Sequence, residues 1–356
     1  MKIRSYVGEY EADFYSDFSF TKEIAALPNK FFVIDDKVHS LYQKELDELT
    51  EGHPCFYVEA VETNKNIEMA LQIISKMVEL PSKRNTTLVA IGGGIVQDLS
   101  AFVANVLYRG ISWVLVPTTL LAQADSCIGS KSSLNYAHYK NLLGYFYPPT
   151  RIFVNTGFLH TLEPKEYKSG FGEIVKCAIM DGRKSFEATA SHLKEIFVSD
   201  GGAEEVLIKE IRKALEFKQA VIEQDEFDRG YRNIMNFGHT FGHALEATSD
   251  YVVPHGQAVA IGILIADEIS VQRGLMGDGY REQIAEAIHR IVSLELLQPE
   301  YFSNGYLDAL KKDKKYTGKS HACILASEQG VRKYTDVTDK EVMAGVDSFL
   351  QSIKRG

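Results

Sequence analysis

Residues 86–98, TTLVAIGGGIVQD, run from an apolar, β-branched stretch straight into three glycines and then into a helical pattern. A glycine turn at the carboxyl end of a buried strand is how a parallel α/β sheet passes its chain into a covering helix. Neighbouring segments have the same texture. Residues 31–34 (FFVI), 55–58 (CFYV), 112–119 (SWVLVPTT) and 151–156 (RIFVNT) read as buried strands. From Ile67 the positions Ala70, Leu71, Ile74, Met77 and Val78 recur at helical spacing. The pattern predicts an N-terminal Rossmann-like α/β domain with a parallel sheet over residues 1–160. Beyond it, strand signals vanish apart from HACILA around Ala322, and helical patterns occupy 166–181, 203–224, 236–248, 256–273 and 279–294. A mostly α-helical domain over residues 161–356 is therefore expected.

The glycines also carry a chemical expectation. Their backbone amides can approach a pyrophosphate, and the helix that follows presents its positive end to it. The spacing Gly92-x-Gly94-x-x-Gln97 lacks the third glycine of the usual dinucleotide fingerprint. Bulk charge narrows the ligand class. With 39 Lys and Arg against 48 Asp and Glu, net −9, a nucleic-acid or anionic-membrane surface is not expected. Any phosphate must be gripped in a local basic pocket. Cys55, Cys127, Cys177 and Cys323 are scattered without a CxxC pair, which reads as reduced thiols in a cytoplasmic protein. The N-terminal residues lack the apolar core of a secretory leader. No apolar run reaches the roughly 18 residues that a membrane span requires.

Two groups of residues suggest catalysis. His239, His243 and His255 fall within the strings NFGHTFGHALEA and VPHGQAVAIG. Residues four apart on a helix share a face, so spacing alone pairs His239 with His243, and neutral imidazoles suit zinc or a similar ion. A carboxylate ligand must come from elsewhere, and Glu173 lies in the glycine-flanked apolar helix GFGEIVK. The second group sets polar and cationic side chains among apolar runs: Asp125, Lys131, Lys140, Asn141, Lys176, Lys218, Arg232, Asn236, Lys314 and Lys315. Such lysines and arginines are suited to phosphate and carboxylate groups.

In order and separation, the strings GGGIVQDL, YRG, VPTTLLAQADS, KNLLGYFYPP, GFGEIVK, NFGHTFGHALE and PHGQAVAIG resemble the 3-dehydroquinate synthase family of sugar-phosphate cyclases. The resemblance implies that Glu173, His239 and His255 bind a divalent metal, zinc or cobalt, and that His243 is a substrate contact and proton carrier. It implies a substrate pocket of Asp125, Lys131, Lys140, Asn141, Lys176, Lys218, Asp228, Arg232, Asn236 and Lys315. Arg109 would reach the phosphate end, in some members across a homodimer interface. NAD-side positions would be Asp35, Glu62, Lys65, Gly93, Gly94, Asp98, Thr118, Thr119 and Thr161, with Lys140 beside them. In the family, bound NAD oxidises a ring hydroxyl of 3-deoxy-D-arabino-heptulosonate 7-phosphate, phosphate is eliminated, and the hydride is returned. Ring opening and an intramolecular aldol closure then give the carbocycle.

Four positions depart from the family pattern. Gln97 replaces the third glycine, which is expected to crowd the cofactor. Gly129-Ser130-Lys131-Ser132 stands where Gly-Gly-Lys-Thr is usual. Gln257 replaces a glutamate, which is expected to remove a charge beside His255. Asp228 replaces a glutamate and reaches one methylene less. Arg232 and Asn236 are both retained, and branches that cyclise neutral sugar phosphates tend to differ there. That favours a carboxylate-bearing substrate, whereas the Gly-Ser-Lys-Ser run points toward a diverged deoxy-inosose or epi-valiolone synthase type. Two further readings remain: a metal-dependent alcohol or glycerol dehydrogenase, which has no use for the cationic cluster, and a non-catalytic binder, suggested by Gln97 and Gln257.

Overall fold

The computed structural model describes residues 1–81, 83–137, 139–198, 203–312 and 320–353. The chain forms two compact units, Met1–Leu162 with Lys218–Phe227, and Glu163–Phe217 with Asp228–Gly356. A division at residue 160 had put Lys218 in the helical part. Instead the segment Lys218–Phe227 groups with the sheet-bearing unit, where Gln219 Nε2 donates to the Lys2 carbonyl at 2.6 Å and Arg4 pairs with Glu223 at 2.7 Å.

In the first unit the strands are β1 (Lys2–Ser5), β2 (Gly8–Tyr15), β3 (Lys30–Asp35), β4 (Cys55–Val58), β5 (Thr87–Gly92), β6 (Trp113–Pro117), β7 (Lys131–Tyr136), β8 (Tyr139–Phe146) and β9 (Arg151–Asn155). Seven of them form one sheet in the order β1-β2-β9-β6-β5-β3-β4. From β2 to β4 every pairing is parallel, and β1 adds an antiparallel edge that the sequence reading did not foresee. All of β5 is buried, as expected for a parallel strand covered on both faces. Alternate residues Phe32 and Ile34, Val89 and Ile91, and Val114 and Val116 share one core with Phe20, Leu46, Phe153 and Phe158. Among the described residues, β7 and β8 form a separate antiparallel hairpin, joined to Asn66 by a single bridge at Asn135.

The strand order also locates a ligand crevice. From β3 the chain steps outward to β4, then returns to place β5 on the other side of β3. Ligands of open α/β sheets bind outside the carboxyl ends of strands where the order reverses. Asp35 ends β3 and Gly92 ends β5, so the residues expected at the cofactor flank that point.

Among the described residues, the second unit is helical apart from the hairpin of β10 (His321–Ser327) and β11 (Gly330–Val337). Its helix His255–Gln272 is buried almost all round, the pattern of a central core helix. The helices Pro164–Asp181 and His239–Thr248 pack against it. Among the described residues, no helix is long and apolar enough to cross a membrane.

Candidate active site

Three acceptor atoms meet in the second unit. Glu173 Oε1 lies 3.6 Å from His239 Nε2 and 3.6 Å from His255 Nε2. The other ring nitrogens fix the tautomers. His239 Nδ1 lies 3.1 Å from the Phe237 carbonyl, and His255 Nδ1 lies 3.1 Å from Glu246 Oε2. Both partners only accept, so in the neutral rings each Nδ1 carries the proton and each Nε2 turns a lone pair toward the carboxylate. Both Glu173 oxygens are buried with no hydrogen-bond partner among the described residues, although the buried Lys176 ammonium forms an ion pair with Oε2. Lone pairs converging on a buried carboxylate are satisfied by a cation. The 3.6 Å separations are near the ~3.3 Å edge of a tetrahedron with metal bonds of about 2.0–2.1 Å. Burial, then the Lys176 charge and the neighbouring histidines, push His239 well below its ordinary pKa, which keeps the ring neutral. Burial pulls His255 the same way, but the hydrogen bond and charge of Glu246, with Glu173, outweigh it and raise it.

This convergence depends on close packing of helix backbones. A Cβ on Gly172, beside Glu173, would lie 1.9 Å from the Gly256 carbonyl oxygen, and one on Gly256, beside His255, 1.8 Å from that of Ser169. Gly238, beside His239, takes φ +75° and faces the Val259 carbonyl, and Gly262 faces that of Gly238. Each of these three side chains thus sits next to a glycine that lets its helix approach another main chain. Spacing alone had pointed to His239 with His243. His243 is exposed, one turn along, with its ring 5.3 Å from that of His239.

The first unit holds the expected cofactor side. The helix Gly94–Val106 begins at Gly93 with no side-chain cap, so its first-turn amides are open to an anion, and a Cβ on Gly94 would meet nothing within 4 Å. On Gly93 it would lie 2.9 Å from Thr119 Cγ2. Those residues fit a pyrophosphate. Thr118 is buried, and the Thr161 hydroxyl meets that of Tyr42 at 2.9 Å. Asp35 caps a short helix through the Lys37 amide at 3.0 Å.

A polar network ties the hairpin to this region. Lys65 Nζ donates to Asn141 Oδ1 at 2.8 Å and lies 3.3 Å from Asp98 Oδ2 and 3.4 Å from Glu62 Oε1. Lys140 approaches Glu62 at 3.9 Å, and Asn135 Nδ2 donates to Glu62 Oε1 at 2.8 Å. Ser133 offers both its amide and its hydroxyl to Asp98 at 3.0 Å. Ser133 and Asn135 were not foreseen as site residues; they stand on the same short hairpin as Lys131, Lys140 and Asn141.

Burial raises Asp98 to about 6, against the opposing pull of Lys65 and Ser133. Its folded-state affinity for the proton exceeds that of the unfolded chain. The stability it contributes is therefore fully present below about pH 4 and is lost as pH rises through about 6. The Ser133 amide resonance should titrate with a midpoint near pH 6, and Asp98→Asn should abolish that transition. A midpoint near 4 would reject the burial argument.

The remaining residues divide by unit. Lys218 Nζ reaches Asp125 Oδ1 at 3.0 Å and the Asp125 carbonyl at 2.7 Å, so those two are brought together. Lys131 is exposed at the start of β7. Arg109 is exposed on a turn in which Tyr108, Arg109 and Gly110 all have positive φ. In the second unit Arg232 is buried, Asn236 Nδ2 donates to the Asn233 carbonyl at 2.9 Å, and Asn233 Nδ2 donates to Asp228 Oδ1 at 3.0 Å. Lys314 and Lys315 lie outside the described residues.

Two expectations about the departures are corrected. Gln97 does not project into the turn: it is buried, donating to the Ser126 carbonyl at 2.6 Å and accepting from the Ser126 hydroxyl at 2.8 Å. Gln257 braces main chain, donating to the Lys165 carbonyl at 2.9 Å and accepting from the Ser293 amide at 2.7 Å. A carboxylate could not make the first of these bonds. The charge beside His255 comes from Glu246 instead. Ser130 takes φ +65°, a costly conformation for a residue with a Cβ, while its hydroxyl donates to Glu226 at 2.9 Å.

Two family descriptions match in succession, 3-dehydroquinate synthase N-terminal over residues 55–169 and 3-dehydroquinate synthase C-terminal over 170–316. A 3-dehydroquinate synthase of Clostridium tetani is 34% identical over 323 residues, spanning 90% of this chain and 85% of that protein. Among solved structures, 2-epi-5-epi-valiolone synthase from Streptomyces hygroscopicus subsp. jinggangensis 5008, with NAD+ and Zn2+ bound, superposes with a TM-score of 0.82 at 23% identity. The match covers 96% of this chain and 97% of that one. A 2-deoxy-scyllo-inosose synthase complexed with carbaglucose-6-phosphate, NAD+ and Co2+ gives 0.81 at 21%, covering 98% and 99%. At those identities the two structures establish a shared fold.

Proposed function

Because the chain belongs to the 3-dehydroquinate synthase family, we propose that it converts 3-deoxy-D-arabino-heptulosonate 7-phosphate to 3-dehydroquinate and phosphate, with a divalent cation, zinc or cobalt, and with NAD that is regenerated in each turnover. The observation that carries this reading is the convergence of Glu173, His239 and His255, whose ligand atoms all lie within 4.8 Å of one another. When bound, the cation supplies Lewis-acid polarisation of a substrate oxygen, and NAD takes up and returns a hydride. The chain's own residues bind and orient. Arg232 offers a buried guanidinium to the substrate carboxylate, with Asn236 on the same short helix, Tyr231–Asn236. Lys131, Asn141, Lys218 and Arg109 are assigned to the phosphate end, Lys218 being held by Asp125. Within the second unit Lys176 and Asp228 are assigned as further polar groups, and His243, exposed beside His239, is the residue that moves a proton. Holding one intermediate through successive steps relies on positioning and preorganised charge. A cytoplasmic homodimer is the setting this reading expects.

The test is inorganic phosphate release from a panel of sugar phosphates. Release should be fastest with the heptulosonate phosphate and slower with neutral sugar phosphates, and no NADH should accumulate. Steady NADH formation from a simple alcohol without phosphate release would overturn the reading in favour of a dehydrogenase. Lys131→Ala should slow phosphate release by on the order of 10²–10³-fold, the cost of losing one preorganised charge, while NAD affinity stays within about twofold. Unchanged turnover would remove Lys131 from the pocket.

A further inference from the structure

We propose that Glu246 is a positioning residue of the cation site, holding the His255 ring in the tautomer and orientation that aim Nε2 at Glu173. The inference rests on reading Glu173, His239 and His255 as ligands. The two histidines are braced differently. His239 Nδ1 donates to the Phe237 carbonyl, a main-chain group that no substitution removes. His255 Nδ1 donates to a side chain, Glu246 Oε2, at 3.1 Å. His255 needs that brace more. It is the first residue of its helix, with no preceding turn of the same helix for its side chain to lie against, and the ring is 34% exposed against 14% for His239.

Glu246 is well placed for the task. His239, His243 and Glu246 are spaced by four and three residues along the helix His239–Thr248, so they share the face that meets His255. One helix thus supplies a ligand and the brace for a ligand on the next helix. The carboxylate is 13% exposed, a setting in which its charge is only partly screened. A carboxylate accepting from the far nitrogen of a ligating imidazole fixes the ring and makes its lone pair more basic. The same carboxylate also lies within reach of a second ligand set, His243, Glu246 and His255. An ion held there would take Glu246 away from its bracing role, so the two uses make opposite predictions.

The experiment compares the full-length protein with Glu246→Gln and Glu246→Ala, each stripped of metal. Zinc affinity is measured by competition with a chromophoric chelator, and the visible spectrum is recorded after cobalt loading. Glu246→Ala should weaken zinc binding about 10–100-fold and alter the cobalt bands. Glu246→Gln keeps an oxygen that can accept from Nδ1, so it should recover part of that loss. Wild-type zinc affinity and an unchanged cobalt spectrum in both variants would overturn the proposal. So would a wild type that takes up two zinc ions, of which Glu246→Ala loses only the second. Glu173→Gln is the parallel control. If it binds zinc like the wild type, the ligand reading itself falls; if it fails to bind while the Glu246 variants bind normally, only the positioning role is lost.

Discussion

Glu173→Gln should reduce phosphate release by at least about 10³-fold and abolish the zinc dependence of the melting temperature. The first figure follows from the several kcal/mol that Lewis-acid stabilisation of a developing charge contributes, at 1.36 kcal/mol per decade of rate. The second follows from linkage. A cation that binds only the folded chain adds about 4 kcal/mol of stability at a thousandfold excess over its Kd. Glutamine is nearly isosteric but presents a neutral amide to two imidazole lone pairs, and it removes the carboxylate partner of the buried Lys176. Breaking a buried ion pair costs roughly 3–5 kcal/mol, so the metal-free variant should also melt earlier. The two effects are separable because only the increment on adding zinc reports ligation. Stripping the wild-type protein with a chelator should remove the same increment and the activity, and refilling with zinc or cobalt should restore both. A Glu173→Gln protein that retains stoichiometric zinc and turnover within tenfold of wild type would exclude the site.

What the sequence disclosed follows from how strongly burial marks a segment. The strands β3, β5, β6 and β9 were visible because a parallel strand covered on both faces must be apolar throughout, leaving little ambiguity. The hairpin of β7 and β8 was not, because half its positions face solvent and its tyrosines, serines and asparagines carry no clean alternation. The edge strand β1 was missed for the same reason, since it buries only Ile3. The helical second half is evident from its periodicity, but the patterns read there do not include the helices Arg183–Val198, Asn304–Lys311 and Asp339–Ile353.

The cluster of Glu173, His239 and His255 lies beyond what local spacing can report. Spacing correctly put His239 and His243 on one helical face, yet the partners that converge with His239 are Glu173, 66 positions earlier in the chain, and His255, on the next helix. Only the resemblance named that combination in advance. The errors at Gln97 and Gln257 have a common cause: each was judged by the charge or space its replacement removes, whereas both side chains turn inward to satisfy main-chain groups. Glu246 was overlooked although its spacing from His239 was in plain view. Its value lies in a contact with a residue nine positions away, which helical periodicity does not report.

Gly256→Ala should cost on the order of 10²-fold or more in turnover and weaken zinc binding, although residue 256 is not one of the three converging acceptors. The added methyl would lie 1.8 Å from the Ser169 carbonyl oxygen and 2.7 Å from its carbon, both main-chain atoms of the helix that carries Glu173. A flexible side chain can swing aside; a helix backbone cannot. Relief requires the helices Pro164–Asp181 and His255–Gln272 to part by about an ångström, and overpacking of this kind costs roughly 1–3 kcal/mol. The same displacement separates Glu173 from His255, and misplacing reacting groups by that amount can cost about 10²-fold. Gly279→Ala is the control. It lies in the helix Asp278–Ile291, where an added Cβ meets nothing within 4 Å, and should stabilise by about 0.5–1 kcal/mol without affecting zinc. If Gly256→Ala keeps wild-type zinc affinity and rate, close approach of those two helices is not what sets the ligand spacing, and the convergence must be held from elsewhere in the unit.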